Sequence, residues 1–182
     1  MNYVASNAKT GITLAVLCIC VSAASVRVAF SAAPVKHCET PAYRQFDFWI
    51  GDWDAFDIDN PRKVIARTRV TRILGGCVLL EDYQGADGHF GQSFTIYDSS
   101  RGRWHQTWVT NHGTLLVIEG GLEDGGKMVL QGTDRTTNSA TRQVRGMWIP
   151  VPGGVQESAV ISTDGGKTWI PWFDLIFRRH KP

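Results

Sequence analysis

Turn chemistry recurs along this chain at intervals that leave room only for strands between. Asn60-Pro61, Gly75-Gly76, Asp87-Gly88, Asn111-His112-Gly113, Asp124-Gly125-Gly126, Pro152-Gly153-Gly154 and Asp164-Gly165-Gly166 separate runs of β-branched and aromatic residues. From Trp53 to Arg178 this yields about ten consecutive strands with no convincing helix among them. Parallel strands need a crossover of about a dozen residues or more, so a parallel sheet is excluded. The strands must be antiparallel, and a meander this long exposes two edges unless it closes on itself. The expected fold is all-β: a closed antiparallel up-and-down barrel. Such a barrel can leave room for one small ligand.

The sequence has 182 residues, the size of one domain. Residues 1–33 read as a secretory signal peptide. Lys9 precedes an apolar core from Ile12 to Ala24 that is too short for a bilayer, and small residues follow it. Cleavage after Ala24 and cleavage after Ala33 both fit. The mature barrel domain is then 34–182, exported to the periplasm or the medium. Cys18 and Cys20 lie within the signal, preceded by Leu17 and Ile19, which are too bulky for a lipoprotein cleavage site. Cys38 and Cys77 remain, and an even pair in an exported chain favours one disulfide over two buried thiols. Neither has a His or Cys at metal-ligand spacing, so no metal is expected, and nothing calls for a cofactor.

Of 19 basic residues against 17 acidic, Lys9 and Arg27 fall in the signal, which leaves the mature chain near neutral. No basic patch or Lys/Arg run longer than a pair stands out before Arg178-Arg179. Nucleic acid, and a membrane once the signal is removed, are therefore poor partners. The expected partner is a small hydrophobic or aromatic molecule; the sequence leaves the oligomeric state open.

Ahead of the first strand, Thr40 and Pro41 suit the N-cap and first position of a short helix reaching Ile50. Its Phe46, Trp49 and Ile50 would pack one face on the barrel mouth. The run Phe46-Asp47-Phe48-Trp49-Ile50-Gly51-Asp52-Trp53 ends in a Gly-x-Trp at the edge of that strand. With Arg178 and Arg179 on the last strand, it resembles the closing device of lipocalins and related calycin barrels. The resemblance implies that Arg178 or Arg179 lies over Trp53 and plugs the closed end, a cation–π contact of about 0.5–2 kcal/mol.

More of the chain resembles an uncharacterised family of exported bacterial calycin-like proteins. The matching residues are the run from Phe46 to Trp53, then Gly75 to Leu79 with Glu81, then Trp104, Gln106, Trp108, Val109 and Gly113. Arg145 with Trp148, the run from Ser162 to Trp169, and Phe173-Asp174 complete the pattern. The chain departs from it at Val155 to Val160, where many members carry Val-Arg-Gln-x-Trp-Glu, and at Thr110 and Phe177. The resemblance implies a fold and supplies no activity.

Trp104, Gln106 and Trp108 alternate, so they share one face of one strand. Two indoles flanking an amide suit a flat organic ligand, with apolar walls and one polar group to orient it; core filling is the alternative. Gln92, Glu81 and Trp148 complete the candidate ligand-binding set. Glu81, Asp82 and Glu157 would serve as acids of raised pKa if buried, which admits a barrel enzyme, an isomerase, lyase or hydrolase, as the second reading. Ser93 lacks the strand–elbow–helix setting of a nucleophile. Arg142 and Arg145 are three apart, so at most one points inward. Ser162-x-Asp164-x-Gly166-x-Thr168-Trp169 matches the Asp-box of sialidase-like propellers, and reads here as a structural turn with Asp164 binding turn amides and Trp169 anchoring the loop. His105 falls on the outer face. A haem-binding relative of the calycins uses a histidine, whose nearest counterpart is His180.

Overall fold

The computed structural model describes residues 37–135 and 141–181. The expected signal peptide, with Cys18 and Cys20, lies outside the described residues. Ten strands follow one another: β1 (Gly51–Asp57), β2 (Asn60–Ile73), β3 (Val78–Gly85), β4 (Phe90–Asp98), β5 (Arg103–Thr110), β6 (Leu115–Glu123), β7 (Lys127–Arg135), β8 (Thr141–Val151), β9 (Gly154–Ser162) and β10 (Ile170–Arg179). Each pairs antiparallel with its neighbours in sequence, and β1 pairs with β10, so the sheet is a closed up-and-down barrel. The turn residues set this topology, because short connections allow only adjacent antiparallel strands. No helix among the described residues is long and apolar enough to cross a membrane.

One end of the barrel is stopped by the segment before β1. The expected helix is two 3₁₀ turns instead, Pro41–Arg44 and Asp47–Trp49, with Pro41 opening the first. A 3₁₀ turn has three residues per turn, so Phe46 and Trp49 lie on one side and both are fully buried. Trp49 stacks on Trp53 at 5.8 Å and meets the edge of Phe177 at 4.8 Å. Phe46 packs edge-on against Trp104 at 5.7 Å and Trp148 at 5.4 Å.

Strand β10 completes the seal. Arg179 lies opposite Trp53, with its guanidinium 3.9 Å from the indole centre, and its Nη1 donates to the Ile50 carbonyl at 3.0 Å. Gly51 makes this contact possible, since a Cβ there would stand 1.6 Å from Arg179 Nη1. Arg178 points the other way: it lies over Phe56 at 4.7 Å and donates to the Pro61 carbonyl at 2.9 Å. Of the two candidates for closure, Arg179 takes the role and Arg178 does not.

Cys38 and Cys77 are bonded across 39 positions, tying the start of the described chain to the connection between β2 and β3. Arg44 reinforces the tie by donating to the carbonyls of Cys38 and Gly76. Arg72 adds an ion pair to Asp47 and a 3.3 Å bond to Gly76. At the opposite end, Asp164 accepts from the amides of Lys167 and Thr168, both at 2.9 Å, while Trp169 donates to the Gly166 carbonyl at 3.1 Å. These bonds hold the Asp164 carboxyl below the usual range. The Asp-box is a single turn between β9 and β10, as its hydrogen-bonding chemistry predicts.

Candidate functional site

The half of the barrel away from the plug encloses a cavity of about 410 Å³. Inward-facing residues alternate along each strand, and where the plug's aromatic rings stop, these side chains do not meet across the middle. The cavity walls include Tyr83, Trp108, Leu116, Ile118, Trp148, Phe173, Leu175 and Phe177. At β10 the register slips between Pro171 and Phe173, and the extra residue, Trp172, also reaches the cavity. Trp108 lies flat over Gly91, where a Cβ would stand 2.3 Å from the indole. A second hollow of about 240 Å³ lies at β1, β2 and β3, lined mainly by charged and amide side chains.

Two carboxyl groups face this cavity from different parts of the sheet, Glu81 on β3 and Glu157 on β9. Glu81 stands opposite Ser93, whose hydroxyl donates to Glu81 Oε2 at 2.9 Å. Burial disfavours the charged form and raises the Glu81 pKa to about 7; the Ser93 bond opposes this and the Asp82 charge adds to it. Glu157 stands opposite Trp148 and Leu175. Its pKa is raised well above the usual carboxylate range by burial and then by the Glu81 charge. The Trp148 indole N–H approaches Glu157 without completing a regular hydrogen bond. Tyr83 is pushed up to about 12 by burial and by Glu157, Asp87 and Glu81.

The remaining polar groups divide between wall and rim. Gln106 is 4 % exposed, and its Nε2 donates to Thr95 Oγ1 at 3.0 Å. His89 sits at the rim with its Nδ1 3.0 Å from His112 Nδ1. Arg142 shares the inward phase of Val144 and Trp148, but Asp134 holds it at 2.8 Å and it lies over Trp172 at 4.4 Å. Arg145 faces outward, over Trp169 at 4.4 Å.

Of the six residues singled out for ligand binding, Glu81, Gln106, Trp108 and Trp148 come together in the cavity. Trp104 does not. Its parity is right, but it lies deeper toward the plug, 1 % exposed, with its indole N–H donating to Gln45 Oε1 at 3.0 Å. Here the core-filling reading holds. Gln92 does not reach the cavity either, because it pairs with Asp82 and is exposed on the outer face, while Ser93 takes the inner position beside Glu81. His105 is outside, bonded to Glu119 at 2.9 Å. His180 bonds Asp54 at 2.9 Å beside the sealed end, far in sequence from every cavity wall except β10.

Sequence reasoning missed Tyr83, and it noted Glu157 without seeing that it meets Glu81. The parity of Tyr83 with Glu81 was a usable signal; the position of Glu157 across the barrel carried none. No group of three or more His, Cys, Asp or Glu among the described residues is arranged to hold a metal ion. What the site offers is a mainly aromatic and aliphatic cavity containing two buried carboxyl groups of raised pKa and an oriented amide. No protein-family model matches the chain, and no curated protein matches it.

Proposed function

We propose that this protein is an exported, calycin-like barrel that binds a small hydrophobic or aromatic molecule in the cavity between Trp108 and Trp148. The observation that carries the reading is the cavity itself: about 410 Å³, walled by aromatic and aliphatic side chains, with few polar groups. That volume and lining fall within the ~300–1,000 Å³ and the mainly apolar character of small-molecule sites. The Arg179–Trp53 seal supports a calycin-like closure, and the Cys38–Cys77 bond agrees with an oxidising compartment.

Native mass spectrometry of protein purified from its own host tests this directly, and a retained small molecule is the expected result. Ala159 is 2 % exposed on the cavity wall, so Ala159→Phe should fill the space and abolish retention. No retained molecule, together with unchanged tryptophan fluorescence across a panel of aromatic compounds and fatty acids, would overturn the reading. Gln106→Leu with unaltered binding would remove Gln106 from the site.

A second reading, a barrel enzyme acting on such a molecule, is favoured by one observation. Glu81 and Glu157 share the cavity, with the Glu81 pKa raised to about 7, a value suited to general acid–base work, and that of Glu157 raised well above the ordinary carboxylate range. A ligand recovered chemically unchanged after prolonged incubation in deuterated water, with no deuterium incorporated, would exclude it.

A further inference from the structure

The charge inventory of the cavity is lopsided. Asp57, Glu81 and Glu157 line it, and no Lys or Arg does. The one inward-phase arginine near the rim, Arg142, is already paired with Asp134. Two donors are committed to the wall, while the Trp148 indole N–H, directed at Glu157, has no regular partner. The Ser93 hydroxyl gives its proton to Glu81, and the Gln106 amide gives one to Thr95. What a guest meets is chiefly the pair of carboxyl groups, acceptors once ionised, inside walls of Tyr83, Trp108, Trp148, Phe173 and Phe177.

Each class of guest meets this inventory differently. An aliphatic molecule would bury two carboxyl groups without satisfying them, which carries a desolvation penalty. A carboxylate or phosphate would face Glu81 and Glu157 with no Lys or Arg in the lining and His89 only at the rim. An ammonium group supplies both the missing positive charge and several donors, and aromatic faces attract it further. We propose that the ligand is an organic amine carrying an aromatic ring, bound as its ammonium ion to Glu81 and Glu157 with the ring between the indole walls. This rests on the binding reading above and names its substrate class. Burial and the neighbouring acidic charge raise the proton affinity of both carboxyl groups, and a guest ammonium would relieve this.

The test is a set of near-isosteric probes on the folded, disulfide-bonded protein. Tryptamine, tryptophol and indole-3-acetate differ in the terminal group and share the ring; matching amine, alcohol and acid sets on phenyl and naphthyl rings extend the comparison. Calorimetry at about pH 8 keeps an alkyl ammonium charged while favouring ionised Glu81. At least one ring should bind as its amine about tenfold or more tighter than as its alcohol, as expected for a charge-assisted hydrogen bond, with the acid weakest. Amine binding at about pH 7 should also release protons to buffer, because pairing favours the ionised carboxylate.

Glu81→Gln and Glu157→Gln should each erase most of the preference for the amine over the matching alcohol. Should either variant fail to fold, the probe series on the unaltered protein decides alone. Alcohols binding as tightly as amines would overturn the amine assignment and leave the binding reading standing. Silence from all probes on all three rings would overturn the amine assignment, and the binding reading would fall only if native mass spectrometry also found no retained molecule.

Discussion

The two halves of this barrel draw on the same residue types and end with opposite properties. At the sealed end, Phe46, Trp49, Trp53, Trp104 and Phe177 interlock, and the indole N–H groups of Trp53 and Trp104 both find oxygen acceptors. At the other, Trp108 and Trp148 face space, and the carboxyl groups among them have few partners. What separates the halves is an insertion from outside the sheet. The 3₁₀ turns fill the lumen at one end, and nothing among the described residues does so at the other. Aromatic content therefore does not say whether a barrel is packed; the presence of a plug does.

This contrast can be broken experimentally. The largest expected effect is at the sealed end. Opening the Cys38–Cys77 bond releases a 39-position loop, and chain-entropy reasoning gives a loss of about 4 kcal/mol, readable as the difference between oxidised and reduced protein in urea. Reduced protein that remains folded should keep its cavity and, with it, the proposed binding. Loss of binding without unfolding would show that the two ends are not independent.

Next comes Glu81. Its folded-state pKa of about 7 exceeds the ordinary 4.5, so the folded protein holds this proton more tightly than the unfolded chain. The stabilisation is complete below about pH 4.5 and is lost as pH rises through about 7. Such a shift is worth about 3 kcal/mol. Glu81→Gln should consequently be more stable than the parent above pH 7 by an amount approaching this, and similar to it at about pH 4. Ser93, Glu157 and Tyr83 share the inner face with Glu81, Asp82 adds its charge from the outer face, and His89 at the rim packs against Tyr83. Urea midpoints that shift equally at both pH values would contradict burial as the cause.

A smaller difference compares leucines. Leu130 is fully buried in packed core, whereas Leu116 borders the cavity. Truncation to alanine should cost about 4 kcal/mol at Leu130 and about 2 kcal/mol at Leu116, where a void already exists. Equal losses would mean that the cavity half is as tightly packed as the other. Smallest is Arg179→Lys, which keeps the charge over Trp53 but loses the planar stack; about 1 kcal/mol is expected by thermal unfolding.

The fold was legible because its signals are local. Turn pairs such as Gly75-Gly76 and Asp164-Gly165 mark the strand ends, and alternation within β5 put Gln106 and Trp108 on the inner face. The site was legible only along single strands. Alternation reports which face a residue occupies, not how deep it lies, so Trp104 and Trp108 look equivalent until the plug is seen to bury one of them. Gln92 fails for another reason. The partner of Glu81 depends on the length of the β3–β4 connection, and a shift of one position exchanges Gln92 for Ser93. The meeting of Glu81 with Glu157 requires closure of the whole ring, which no local pattern encodes.

The bond from Arg179 to Ile50 joins groups 129 positions apart. Before β10 is in place, β1 and β9 are open edges, able to pair with other chains as readily as with their proper neighbour. Closure is then the latest and most expensive loop in chain entropy, placing this topology among the slow folders. A nascent chain lacking its last ten or so residues cannot complete the ring. The seal that secures the finished barrel also sets the time at which the protein becomes safe from aggregation.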